Sequence, residues 1–193
     1  MTKFPLAALA PALLLGGCVS FGEDPPPSLL TLTATATAPA GVAAQGSNAS
    51  ALALVEFDVP QALAVTRVPV HVSDTEIAYL QDAVWVERPA RLFRRLIGET
   101  IRARSGRMVI DGDDPGAGAN DRLHGTLRSF GYDAPTSSVV VVFDAVRSGT
   151  GSSVTTRRFE ARVPGVLPEV GSVAPALNAA ANDVAGQVAD WVG

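Results

Sequence analysis

The chain has 193 residues, of which 47% are hydrophobic and 18% are charged, and its formal net charge at pH 7 is −4. This acidic balance argues against nucleic-acid binding, because nucleic-acid binders usually carry a basic face. A single cysteine excludes a disulfide framework and a multi-cysteine metal site.

The first 17 residues have the pattern of a signal peptide. Lys3 is the basic start, Phe4–Leu15 is a twelve-residue apolar run, and Gly16 and Gly17 precede Cys18. The run is too short to span a bilayer, which takes about 20 apolar residues. The sequence around Cys18 resembles the lipobox of bacterial lipoproteins. The resemblance implies cleavage before Cys18, which would carry a diacylglycerol and an amide-linked acyl chain, with no other cofactor. An ordinary secretory signal with an incidental cysteine is the alternative.

Cleavage would leave 176 residues and, because Lys3 is the only lysine, a formal charge of −5. This length suits one domain, residues 28–193, on a lipidated tether, residues 18–27. Pro25–Pro27 at the end of the tether favour an extended chain. Val19 is not aspartate, and by resemblance to the enteric sorting rule this directs the lipoprotein to the outer membrane, with the domain in the periplasm.

The first part of the domain favours short strands. Alternating leucine and threonine predict a strand over Leu29–Thr37, followed by a loop to Ser50. Pro69 fits only an edge strand or a strand start. The further predicted strands are Ala51–Asp58, Val68–Val72, Glu76–Leu80 and Ala83–Glu87.

An amphipathic helix is predicted from Pro89 to Gly106, because apolar residues recur on one face at three-to-four spacing. Glu99 is placed to pair with Arg95 or Arg102. The arginines that come closest to a basic cluster are interpreted as the solvated face of this helix: Arg88, Arg91, Arg94 and Arg95.

In the second half of the chain, the residue pattern predicts a short strand over Arg107–Asp111, a loop to Asn120, and then three strands in an antiparallel meander. Val139–Phe143 is continuously apolar and is expected in a central strand covered on both faces, whereas the last strand alternates and is expected near an edge. The meander strands are Arg122–Tyr132, Ser138–Arg147 and Val154–Val163.

A final helix is predicted from an N-cap at Ser172 to Trp191. The order of elements predicts an α/β or α+β fold: a single domain with a mixed, largely antiparallel sheet packed with two main amphipathic helices.

No motif indicates catalysis or a metal. His71 and His124 have no metal-ligand spacing, and the Gly-x-Ser-x-Gly pattern of a nucleophilic serine is missing. Asp111–Asp114 resembles the start of a calcium loop, but Pro115 and Arg122 occupy two ligand positions. We therefore expect neither an enzyme nor a metal protein.

Several short segments in order resemble the ABC-type transport auxiliary lipoprotein family, which includes the paraquat-inducible protein C lipoproteins. They comprise a Trp-x-Glu element leading into the first helix and a Leu-x-Gly-x-Leu-x-x-Phe strand. In this sequence the segments are Val59–Leu63, Ile77–Tyr79, Val84–Glu87, the helix from Pro89, Leu123–Phe130 and the closing helix Ser172–Trp191.

The resemblance implies an outer-membrane lipoprotein that binds and docks, without catalysis, in a lipid transport system. Its partners would be an MCE-domain protein and an ABC transporter permease and ATPase. Trp85 is either a core aromatic or a contact for a partner or lipid. Homo-oligomers are also expected, since an edge strand can pair with that of a neighbour.

Two other classes of function stay open from the sequence. One is a structural lipoprotein that assists outer-membrane protein assembly or envelope integrity. The other is a surface-anchored hydrolase.

Overall fold

The structure is a computed structural model that describes residues 28–41, 47, 50–111, 118–149 and 153–193. The predicted signal peptide, Cys18 and tether lie outside the described residues. Within the described part, no helix combines the length and the apolar character needed to cross a bilayer.

In the described part of the chain, seven strands form one mixed sheet and two long helices pack on it, which confirms the predicted fold class. A short 3₁₀ helix covers Gln61–Leu63. The strands are β1 (Leu52–Leu54), β2 (Arg67–Ser73), β3 (Glu76–Val84), β4 (Val109–Asp111), β5 (Asp121–Asp133), β6 (Ser138–Ser148) and β7 (Val154–Pro164). The helices are α1 (Pro89–Ser105) and α2 (Val170–Val192).

Strand β5 is the axis of the sheet. On one side it pairs antiparallel with the full length of β6, which pairs with the edge strand β7. On the other side it pairs in parallel with β1 near its start and with β2 at its end. Strands β4 and β3 extend these two branches outward. The predicted meander, with its last strand at an edge, is confirmed.

Both helices pack on one face of the sheet. Phe93 of α1 lies 5.5 Å from Phe143 of β6, and Trp191 of α2 lies 5.6 Å from Phe159 of β7, measured between ring centroids. As predicted, α1 begins at Pro89 and ends before Gly106, whose φ of 65° suits glycine. The apolar face of α1 is buried, and α1 also packs along α2.

A β-bulge explains the irregular spacing of the Leu-x-Gly-x-Leu-x-x-Phe motif in β5. Leu123, Gly125 and Leu127 follow the two-residue alternation of β5, but Phe130 comes three residues later. The register shifts between Leu127 and Ser129, so Arg128 is one extra residue and Phe130 returns to the helix-covered face. All three apolar side chains of the motif are completely buried.

No helix of the described residues lies on the opposite face of β6, so the expectation that Val139–Phe143 is covered on both faces was only partly right. Val140 is buried but Val142 is partly exposed. Arginines from the neighbouring strands cross this face: Arg128 and Arg158 both donate to Asp144, and Arg162 donates to Ser138. Their stems cover apolar surface while their charged ends stay in water.

The predicted strand Leu29–Thr37 was wrong as a strand. Only Leu30 makes a bridge, with Trp85, although even and odd residues alternate between half-buried and exposed as expected. The predicted strand Ala51–Asp58 is shortened to β1. The pairing becomes irregular after Leu54, because the four residues 55–58 run beside only three residues of β5, 124–126.

Two predicted strands, Glu76–Leu80 and Ala83–Glu87, are one strand, β3, which ends at Val84. Three extra residues between Tyr79 and Val84 make a bulge opposite β2, with Asp82 at a φ of 56°. Pro69 is not at an edge or strand start. It lies in β2 between β3 and β5, beside a register shift, where a missing N–H is tolerated.

The predicted N-cap of the last helix was wrong. Glu169, with extended backbone, is the N-cap, and Val170 begins α2. Ser172 lies inside the first turn, where its hydroxyl donates to the Glu169 carboxylate.

Replacing Gly125 should destabilise the fold strongly. A Cβ at this position would lie 2.2 Å from the carbonyl oxygen of Asp144 and 2.9 Å from the ring of Phe143. We expect Gly125→Ala to lower the free energy of unfolding by about 3 kcal/mol, measured by urea denaturation. The matched variant Gly171→Ala meets open space in α2 and should be neutral or stabilising by up to about 1 kcal/mol. Equal midpoints for the two variants would contradict this packing.

Candidate functional site

Trp85 lies in the core, only 2% exposed, with its ring centroid 5.5 Å from that of Phe130. Among the residues that the structure describes, its Nε1–H has no hydrogen-bond partner. A direct contact between this ring and a partner or lipid would require its neighbours to move, and that contact stays a prediction. Cys18, the predicted lipid attachment site, lies outside the described residues.

The backbone of Trp85 holds the start of the domain. Its N–H donates to Thr66 O at 2.7 Å, which joins it to the residue before β2. On its other side Leu30 N–H donates to Val84 O at 2.7 Å, and Val86 N–H donates to Leu30 O at 2.8 Å. The chain that follows the predicted tether is therefore fixed at the end of β3.

From Leu30 the chain continues across the two helices to Ala38, extended except for a bend at Thr35 and Ala36. We call this segment the strap. Two side chains of α2 supply the hydrogen bonds that a neighbouring strand would give to the strap backbone. Asn178 Oδ1 accepts from Thr33 N–H at 2.8 Å, and Asn182 Oδ1 accepts from Thr35 N–H at 2.8 Å. Asn182 Nδ2 also donates to Thr33 O at 2.9 Å.

The strap ends on α1, where Ala38 N–H donates to the Glu99 carboxylate at 2.8 Å. Its half-buried side chains, Leu30, Leu32 and Ala34, pack against the core. The strap thus connects the predicted tether to both helices and to β3.

A cleft of about 560 Å³ runs along α1, where the helix crosses the edge of the sheet formed by β1 and β4. Gly98 allows the close approach, since a Cβ there would lie 3.0 Å from Leu54 Cδ1. The floor is mainly apolar and the walls are charged. We call it the α1 cleft; its lining residues are Leu54, Glu87, Arg91, Arg94, Arg95, Gly98, Glu99, Arg102, Val109 and Ile110.

The α1 cleft carries an excess of positive charge, with four arginines and two glutamates, in a chain of net charge −4. Arg95 pairs with Glu87. Arg102 lies 3.7 Å from Glu99, one of the two predicted pairs, and donates to Val109 O at 3.0 Å. The arrangement suits an acidic or anionic ligand.

The sequence indicated the arginines of this cleft as a solvated helix face but did not indicate the cleft. Leu54 and Val109 come from two strands on either side of α1 in the sequence, so no local pattern places them together. Gly98 was the available signal, because glycine inside a helix is unfavourable unless a close contact requires it.

Asp121 forms a second charged cluster, in which it accepts hydrogen bonds from Arg147 at 2.7 Å and Arg107 at 2.5 Å. Burial would raise the pKa of Asp121, but these two guanidinium groups outweigh it and lower the pKa below its ordinary value. Arg107 also donates to Val192 O at 2.9 Å, at the end of α2. We interpret this cluster as structural.

On the helix-free face, Asp144 lies between Arg158 and Arg128. Hydrogen bonds from Arg158 first, and then from Arg128, lower the pKa of Asp144 to about 2 although desolvation opposes the shift. The carboxylate therefore stays ionised at neutral pH and joins three strands.

Among the described residues, the two histidines are not part of a metal site. His71 is partly buried and His124 is exposed. Within the described ranges, no group of three or more His, Cys, Asp and Glu side chains is arranged to hold a metal ion.

One comparison with known proteins identifies a family. The family model for the ABC-type transport auxiliary lipoprotein component matches residues 30–189. No curated protein matches the chain significantly.

Two crystal structures show the same fold. Protein XCC0632 from Xanthomonas campestris, of family DUF330, aligns with a TM-score of 0.68 and 16% identity, covering 86% of this chain and 94% of that one. An uncharacterized protein aligns with a TM-score of 0.66 and 15% identity, covering 86% and 100%.

Removing the Asn182 side chain should release the strap. Asn182→Ala loses the acceptor for Thr35 N–H and the donor to Thr33 O. We expect the Thr35 amide to exchange at least about tenfold faster by hydrogen exchange, with a loss of about 1–2 kcal/mol in unfolding free energy. The control Gln187→Ala removes an α2 amide that donates instead to Glu160 O. Unchanged Thr35 exchange in Asn182→Ala would show that the strap is held by other contacts.

Proposed function

The chain belongs to the ABC-type transport auxiliary lipoprotein family, and from this membership we propose its place in a transport system. It would be an outer-membrane lipoprotein, with its domain in the periplasm. There it would serve an ABC/MCE-type system that moves lipid or other hydrophobic compounds between the two membranes. Its role would be binding and docking without catalysis. The match over residues 30–189 is the observation that carries this proposal.

The path of the strap supports an anchored role. In the proposal, acyl chains on Cys18 hold a tether that reaches the domain at Leu30. A pull on the tether would act first on the backbone hydrogen bonds of Leu30 with Val84 and Val86. The hydrogen bonds from the strap backbone to Asn178, Asn182 and Glu99 would hold the chain behind them. Three acyl chains exceed the two that give stable membrane attachment.

We place the docking of the transport partner at the α1 cleft. The cleft combines concave shape with an apolar floor and exposed arginines, and arginine is enriched where proteins bind each other. Because its walls are positive overall, the partner segment would be acidic. An MCE-domain protein or the transporter would provide that segment.

Copies of the chain would also associate, in our proposal, through the edge strand β7. Within the described part of the chain, its eleven residues pair with β6 on one side only. A two-fold antiparallel pairing centred on Phe159 would place Arg158 opposite Glu160 twice, which favours that register. Gln187, which donates to Glu160 O at 3.2 Å, would have to release it.

Anchoring is tested by lipid labelling and membrane separation. The native chain should incorporate labelled palmitate and sediment with the outer membrane, whereas Cys18→Ala should incorporate none, because it lacks the thiol. Val19→Asp should keep the label but move to the inner membrane by the enteric sorting rule. Equal labelling of the native chain and Cys18→Ala would refute the anchor.

Docking is tested by photo-crosslinking in cells. A photoreactive residue at Arg91 in the α1 cleft should capture an MCE-domain protein or an ABC transporter component, identified by mass spectrometry. The same residue at Thr155, exposed on β7, should instead yield multiples of the chain's own mass. Capture of an unrelated assembly factor at Arg91 would favour a structural lipoprotein, and no capture from either position would reject docking through these surfaces.

A further inference from the structure

The surface around the point where the tether meets the domain combines apolar and cationic side chains. Leu29 is 53% exposed and Val86 is 52% exposed. Val84 beside them is half-buried, and Arg67 and Arg88 are exposed. We call these five residues the tether-root patch.

Backbone pairing places Leu29, Val84 and Arg67 side by side on one face, and Arg88 follows two residues after Val86 in the chain. Leu30 bridges Trp85 in parallel, so the preceding residues, Leu29 and Val84, lie side by side. Val84 is in turn the register partner of Arg67 in β2. Since Trp85 points into the core, its chain neighbours Val84 and Val86 point outward.

The charge of the patch is positive. Arg67 stacks over Tyr79, 4.9 Å from the ring centroid, which leaves the guanidinium at the surface. The adjacent carboxylate, Glu87, is paired with Arg95. Two arginines beside exposed aliphatic side chains form a surface that suits apolar material covered by anionic groups, which is the chemistry of a phospholipid leaflet.

We propose that the tether-root patch rests on the anionic phospholipid leaflet in which the chain is anchored, so that the domain has a fixed orientation on the membrane. This rests on the proposed acylation of Cys18. Ser28 comes ten residues after Cys18, and a fully extended chain of that length spans at most about 35 Å. Of the surfaces of the domain, the tether-root patch is therefore held nearest to the lipid. Leu29 and Val86 would enter the headgroup boundary while Arg67 and Arg88 meet phosphates.

Orientation can be measured with single thiols, because the chain has one cysteine and acylation would consume it. Val86→Cys in the acylated chain is labelled with an environment-sensitive fluorophore and reconstituted into vesicles that contain phosphatidylglycerol. The control is Ser153→Cys, exposed directly before β7, a strand four strands away across the sheet from β3. We expect iodide to quench the Val86 label at least about threefold less than the Ser153 label, and brominated lipid to quench only the Val86 label.

The charges are tested by adding Arg88→Gln to the labelled Val86→Cys chain. Each basic residue near an anionic surface contributes about fivefold to binding, so protection from iodide should fall on phosphatidylglycerol vesicles and stay unchanged on phosphatidylcholine vesicles. Equal iodide quenching of the two labels on floating vesicles would overturn the proposal. It would also be overturned if the Val86 label were shielded only after the transport partner is added, which would assign the patch to a protein. Failure of the chain to float with vesicles would instead refute acylation.

Discussion

The pairing of Leu30 with Trp85 is the constraint on which the position of the domain depends. Two backbone hydrogen bonds, of 2.7 and 2.8 Å, hold Leu30 against β3, and a third joins Trp85 to Thr66. The Trp85 ring then packs on Phe130 in the central strand β5. Any load or orientation that reaches Leu30 through a tether is thus passed through one residue to the middle of the sheet.

The strap beyond Leu30 shows how a helix can satisfy an extended chain. A side-chain amide offers one carbonyl oxygen and one NH₂ group, as a strand neighbour offers C=O and N–H. Asn178 and Asn182 are four residues apart on α2, a rise of about 6 Å, and Thr33 and Thr35 are two residues apart in an extended chain, about 6.6 Å. The two spacings nearly match, so consecutive asparagines bond to alternate strap residues.

The strap also shows which parts of the fold could be predicted from the sequence. Alternation over Leu29–Thr37 correctly indicated an extended segment with two different faces, but alternation does not reveal what the backbone bonds to, and here the partner is a helix. The meander and α1 were predictable because each buries a regular stripe, as Leu92, Phe93 and Leu96 do in α1. The bulge at Arg128 was visible only as an irregular spacing before Phe130. The α1 cleft needed the three-dimensional meeting of Leu54, Gly98 and Val109, of which the sequence signalled only Gly98, as a glycine inside a helix.

The burial of Trp85 can be explained without a ligand on its ring. A buried N–H without an acceptor costs about 1–3 kcal/mol, whereas burying an aromatic side chain of 150–250 Å² contributes about 4–6 kcal/mol. Burial therefore outweighs the missing hydrogen bond, and a tryptophan is stable at this position. A smaller apolar side chain would avoid the unpaired donor but would reach less far toward Phe130. The size of Trp85 is thus explained by its place between the start of the strap and the core. The side chains that can contact a ligand near the tether are those of its exposed neighbours, Val86 and Arg88.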